Sequence, residues 1–170
     1  MSSPVDVPVV EDVPVDDVSD LRYEVLRRGT PTDVVDLDGD RDPGTRHLAI
    51  RDGNGDVIAT STWLTRPCPA APDRPAVQLR AMAVSDRVRR KGYGALMIAA
   101  GYEHARAVGA DVVWANARDT ALDFYQAQGL HVVGDGFVTT DTRLPHHVVL
   151  HDLRPEELPK RSAPATSSEV

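Results

Sequence analysis

The stretch from Gln78 to Leu96 constrains this chain most. Gln78-Leu79-Arg80-Ala81-Met82-Ala83-Val84 reads as a strand, Ser85-Asp86-Arg87-Val88 as a short loop, and Arg89-Arg90-Lys91-Gly92-Tyr93-Gly94-Ala95-Leu96 as a glycine-bearing turn that opens a helix. Four cations (Arg87, Arg89, Arg90 and Lys91) crowd into this turn in a chain of net charge −7. A helix start has unpaired N–H groups and the positive end of the helix dipole. Gly92 and Gly94 place no side chain in a ligand's way, so the arrangement predicts a phosphate site. A dinucleotide fingerprint is excluded because its third glycine falls at Met97, and a P-loop because Lys91 precedes Gly92. The competing reading is a solvated basic turn ahead of a core helix.

A second stretch sharpens the choice. Asn116 is followed by Ala121, Phe124, Tyr125, Gly129 and Leu130 along a short predicted helix. Arg89, Gly92 and Gly94 resemble the pyrophosphate loop of the GNAT acyltransferase superfamily. The Asn116–Leu130 run resembles that superfamily's second signature, with Leu130 in place of the usual aromatic. The two occur in the family's order. The Leu79-Arg80-Ala81-Met82-Ala83 run and the Pro145-His146 pair are similar to the ElaA-like branch.

Composition bounds the rest. The 170 residues suit one domain, assigned to 1–158, with 159–170 as a disordered tail rich in Pro, Ser and Ala. No apolar run is long enough to span a bilayer, and the start lacks a signal pattern, so a cytoplasmic protein is the default. Cys68 is the only cysteine, which excludes an internal disulfide. The acidic balance argues against nucleic-acid or anionic-membrane binding. Six histidines lack zinc-site spacing. Asp36, Asp38, Asp40 and Asp42 alternate, but Arg41 and His47 stand where a calcium loop needs Gly and Glu, so no metal is expected.

In chain order, Val5 to Val10 suggest a first, edge strand interrupted by Pro8. Asp16 or Ser19 caps a helix running to Gly29, and 30–45 is a polar loop. Strands at Arg46–Asp52 and Val57–Leu64 flank the Gly53-Asn54-Gly55-Asp56 hairpin turn. The strand at Ala76–Val84, the helix ending at Gly109 and the strand at Asp111–Ala115 form a crossover unit, which makes those two strands parallel neighbours. Thr120 with Asp123 resembles a capping box. The segments 130–133 and 137–139 flank a turn or bulge at Gly134-Asp135-Gly136, and Pro145–Leu150 gives the last strand.

The resemblance implies an α/β (α+β) GNAT fold: a mixed sheet of six or seven strands, splayed at its parallel pair and flanked by helices. It implies acetyl-CoA as co-substrate, bound by Met82, Ala83 and Val84 along the arm and by Arg89, Arg90, Lys91, Gly92, Tyr93, Gly94 and Ala95 at the pyrophosphate, with Asn116 hydrogen-bonding the arm. Tyr125 is the candidate general acid, its competing reading a core aromatic. The strand offers no carboxylate to act as base, only Gln78 and Arg80, so His146 or His147 is the candidate base, and strand alternation lets one of them face the cleft. We assign the catalytic role to His147 and place His146, Arg80, Arg22 and Tyr23 against the acceptor, with Arg80 pairing an acceptor carboxylate. The competing reading makes Arg22 and Tyr23 exposed helix residues. The expected activity is transfer of acetyl to a primary amine of a small molecule, in a chain for which a homodimer is common in the family. A silent acyl-CoA sensor and a protein N-acetyltransferase remain as alternatives.

Overall fold

A computed structural model describes residues 7–154. The chain first forms a two-residue strand, β1 (Glu11–Asp12), followed by one helical segment of changing pitch. A 3₁₀ turn (Val15–Val18), α1 (Ser19–Arg22) and a π turn (Tyr23–Arg27) follow one another. Then come β2 (Arg46–Arg51), β3 (Val57–Thr65), β4 (Ala76–Val84), α2 (Tyr93–Ala107), β5 (Val112–Arg118), α3 (Leu122–Ala127), β6 (His131–Val138) and β7 (Pro145–Asp152). They build a seven-stranded sheet ordered β1-β2-β3-β4-β5-β7-β6, with β4–β5 its parallel pair. This is the expected mixed sheet.

Local chemistry explains the main joints. Between β2 and β3 the turn closes through Asp52 N–H to Asp56 O (2.9 Å) and Gly55 N–H to Asp52 O (3.0 Å), with Gly55 at φ 85°. The crossover helix α2 packs Met97, Ile98, Gly101 and Ala105 onto the sheet. A Cβ on Gly101 would fall 1.8 Å from Trp63 Cζ2, so the fully buried indole takes up the space that a side chain at 101 would need. The indole N–H is satisfied by Ser61 Oγ at 2.8 Å.

Several expectations change. The first strand lies at Glu11–Asp12, beyond the valine run, of which residues 5 and 6 fall outside the described residues. No side chain caps the first helical segment; Ser19 instead bonds back to Val15 O. The Thr120–Asp123 box does not form: a 3₁₀ turn at Asp119–Ala121 precedes α3, and neither start has a side-chain cap. Of the turn or bulge expected at Gly134–Gly136, the chain forms the bulge, a register shift inside one continuous β6. The tail expected over 159–170 lies outside the described residues. Among those described, no helix is long and apolar enough to cross a membrane.

Candidate active site

Two departures from regular pairing open the site. The parallel ladder between β4 and β5 runs from Ala76–Val112 to Gln78–Trp114 and ends there, although both strands continue. Beyond that point the strands diverge into a wedge. On its other side β4 pairs Thr60 with Ala83 and Thr62 with Arg80, so Ser61 opposes both Ala81 and Met82. This is a β-bulge, and it holds Ala81 at φ 51°, a backbone region that non-glycine residues seldom occupy. The bulge turns Ala81 and Met82 toward a cleft of about 1130 Å³.

The basic turn forms one end of this cleft. Arg90 (φ 64°) and Gly92 (φ 82°) are both left-handed, and Gly92 is the N-cap of α2. No side chain caps the helix start. A Cβ on Gly92 would meet nothing within 4 Å. The first turn, with its orphan N–H groups uncapped by any side chain, lies along the cleft wall, which fits a pyrophosphate. Arg89, Arg90, Gly92, Tyr93, Gly94 and Ala95 line the cleft, whereas Lys91 does not. Arg89 bonds Asp86 (2.7 Å), and both side chains are largely exposed. Gly94 is small for a different reason from Gly92: a Cβ there would lie 2.8 Å from Phe124 Cζ.

Met82, Val84 and Asn116 also line the cleft. Ala83 does not: it is buried in the core and paired with Thr60. Tyr125 lies on the cleft wall at 7% exposure, its ring edge-on to Phe124 at 5.2 Å. Burial pushes its pKa up to about 12, against the pull of the nearby Arg118 charge.

The two histidines are placed opposite to the expected assignment. His146 pairs with Arg118 on β5 and lines the cleft, while His147 pairs with Ala117 and faces the other side. There His147 Nδ1 meets Asp119 Oδ1 at 2.6 Å, and its ring lies over Gly136, where a Cβ would come within 2.9 Å. His147, expected at the catalytic position, therefore lies outside the cleft lining. His146 Nδ1 donates to Leu144 O at 2.8 Å. A carbonyl only accepts, so the neutral ring keeps its lone pair on Nε2.

The acceptor side also differs from expectation. Arg22 is neither exposed nor at the cleft. It is 2% exposed, donating to Asp40 Oδ2 (2.6 Å), Thr62 Oγ1 (2.7 Å) and Val35 O (2.8 Å). Tyr23 is exposed and lies outside the cleft lining. Arg80 lines the cleft, but its guanidinium already bonds Asp38 O and Asp40 Oδ1 (3.0 Å). Its charge is therefore committed to Asp40 and is not held out to an acceptor carboxylate. Of the alternating aspartates, Asp40 turns inward to these arginines and accepts Leu37 N–H at 2.8 Å.

Four further residues belong to this site. Ala81 is placed by the bulge. Gln78 is 6% exposed, lines the cleft at the apex of the wedge, and has a buried Oε1 without a hydrogen-bond partner. Arg27 and Arg118 also line the cleft. The one sequence signal for Arg118 is its even spacing from Asn116 along β5, which puts both on the same face.

A wedge between parallel strands, closed at one end by an uncapped basic helix start, is what the two sequence signatures imply. The acetyltransferase (GNAT) family model matches residues 15–130. The chain belongs to this family. It is accordingly an acyltransferase that uses acyl-CoA as co-substrate. Solved GNAT structures share the fold at low identity. Escherichia coli ElaA is 19% identical with TM-score 0.66, covering 86% of this chain and 100% of ElaA. A GCN5-related N-acetyltransferase from Kribbella flavida is 19% identical with TM-score 0.64, covering 88% and 99% of the two chains. Glucosamine-6-phosphate N-acetyltransferase from Arabidopsis thaliana is 16% identical with TM-score 0.61, covering 79% and 98%. A search of curated protein sequences finds no match.

Proposed function

We propose that this GNAT chain transfers an acetyl group from acetyl-CoA to a primary amine on a small molecule. The wedge between β4 and β5 carries the reading: it puts the uncapped start of α2, the Ala81–Met82 bulge, Asn116 and Tyr125 around one cleft. The loop bearing Leu37 also lines that cleft, which favours a small acceptor.

Each residue then has a physical task. The N–H groups of Tyr93, Gly94 and Ala95, with Arg89 and Arg90, take the pyrophosphate. Backbone groups at the bulge and the Asn116 amide flank the pantetheine arm. A thioester held there supplies an activated acyl group. Tyr125 donates a hydrogen bond to the sulfur as it gains charge. With its pKa pushed up to about 12, the phenol is a weaker acid than a thiol of about 8.5, so it stabilises the leaving group mainly by hydrogen bonding. His146 Nε2 accepts the proton that the amine must lose, directly or through one water.

Calorimetry with acetyl-CoA tests the reading first. Wild type should bind, and Gly92→Glu should lose binding because an anion occupies the pyrophosphate position. Gly92→Ala should keep most of it, at a stability cost of about 1 kcal/mol for the left-handed backbone. Equal binding by wild type and Gly92→Glu would remove the turn from the site. For the base, His146→Gln should lower kcat about 10²-fold near pH 7, and the deficit should shrink toward pH 10, where the amine sheds its own proton. A deficit independent of pH would assign His146 a purely structural role.

A further inference from the structure

Arg118 is the last residue of β5 and lies beside His146 in the β5–β7 ladder. It lines the cleft, half-buried, and donates through one guanidinium nitrogen to Leu26 O at 2.5 Å. Arg27 lines the same wall and donates to Val34 O (2.7 Å) and Leu26 O (3.4 Å). Among the described residues, the ion pairs include neither Arg118 nor Arg27, and the hydrogen-bond partners of both are carbonyls. This contrasts with Arg80, Arg66 and Arg22, each paired with a carboxylate. The one acid acting on both is Asp141, also on the cleft wall, so two guanidiniums face one carboxylate held beyond ion-pair distance. Burial lowers the pKa of each, and a neighbouring cation adds to it, Arg27 at Arg118 and Arg22 at Arg27. A guanidinium kept half-desolvated without a contacting anion has its donor fork free for a planar or tetrahedral oxyanion.

We propose that the acceptor is an amine bearing an anionic group, a carboxylate or a phosphate, and that Arg118 binds that group with Arg27 beside it. This rests on the acyl-transfer reading above. It makes Arg118 the specificity residue that Arg80 cannot be, because Arg80 is committed to Asp40. It also bears on the missing strand carboxylate. Cations around the acceptor disfavour its ammonium form, so more of it is present as the free amine that attacks. The anionic group keeps the molecule bound despite that positive wall.

The test uses the full chain and matched pairs of amines, with thiol release as the readout: an amino acid against its carboxamide, and an amino-sugar phosphate against the amino sugar. Wild type should prefer the anionic member of at least one pair by 10- to 100-fold in kcat/KM, and the pair concerned distinguishes carboxylate from phosphate. Arg118→Gln should abolish the preference, mainly through KM, with acetyl-CoA affinity unchanged by calorimetry. Arg118→Lys should recover part of it. A second readout needs no turnover: acetate or inorganic phosphate titrated into the CoA-saturated protein should bind wild type and not Arg118→Gln. Equal use of neutral and anionic amines, a preference retained in Arg118→Gln, or anion binding unchanged by the substitution would overturn the proposal. Failure to bind acetyl-CoA at all would instead strike the acyl-transfer reading.

Discussion

Asp40→Ala is expected to destabilise the protein by about 3–5 kcal/mol, seen as a shift in denaturation midpoint or a fall in Tm of roughly 10 °C. Asp40 is the shared anion of two guanidiniums: Arg22, whose side chain is 2% exposed, and Arg80, at 13%. Removing it leaves both cations buried without a counter-ion, which costs more than the pair's net worth. The Asp38→Ala control, at a side chain 98% exposed and paired with Arg66, should change stability by less than about 1 kcal/mol. A similar small effect at Asp40 would mean that the network does not hold the loop. The pH dependence follows. Burial would raise the Asp40 pKa, but hydrogen bonds from Arg22 and Leu37, the Arg22 charge and the Arg80 bond outweigh it and hold it below the usual carboxylate range. A depressed folded-state pKa gives stability that is present above the unfolded value, about 3.9, and is lost as pH falls through the lower folded value. Wild type should therefore lose this stability only in strong acid, and Asp40→Ala should lack that part of the acid transition.

Tyr125→Phe is expected to lower kcat about 10³-fold while leaving acetyl-CoA affinity within about threefold. Deleting one hydroxyl removes the hydrogen bond to the sulfur and leaves the ring's contact with Phe124 in place. Because burial keeps the phenol protonated up to about pH 12, no decline in wild-type rate below pH 10 arises from this group. Stopped-flow or steady-state thiol release reads both effects. If the variant keeps its full rate, Tyr125 is a wall residue and the leaving group is stabilised elsewhere.

The parts of this molecule that depend on near neighbours in sequence were legible. Gly53–Asp56 sets its hairpin, and strand–turn–helix–strand spacing sets the parallel β4–β5 pair. The turn at Arg89–Gly92 carries its glycine and its charge in a single run. What failed depends on partners far along the chain. Arg22 looks like a polar helix residue, and only the arrival of Asp40, eighteen positions later, explains its burial. The same aspartate commits Arg80, forty residues away. Alternation says that one of His146 and His147 faces the cleft, but the choice is made by register against Arg118 and Ala117. Arg118 drew no attention because nothing adjacent in sequence reveals that its guanidinium meets a carbonyl on the π turn, ninety-two residues before it.

The close seat of Phe124 over Gly94 has a consequence for how this enzyme can change. Position 94 opens the helix behind the basic turn, and position 124 neighbours Tyr125, so the contact fixes the spacing between the two halves of the cleft. Any side chain added at 94 has to be answered by a smaller one at 124. In a library that randomises position 94 alone, most members should meet the Phe124 ring and fail, and the survivors of a joint library should trade volume between the two positions. Reshaping this end of the cleft is thus a two-site problem from the outset, whereas position 92, which has no close neighbour, is limited instead by its left-handed backbone.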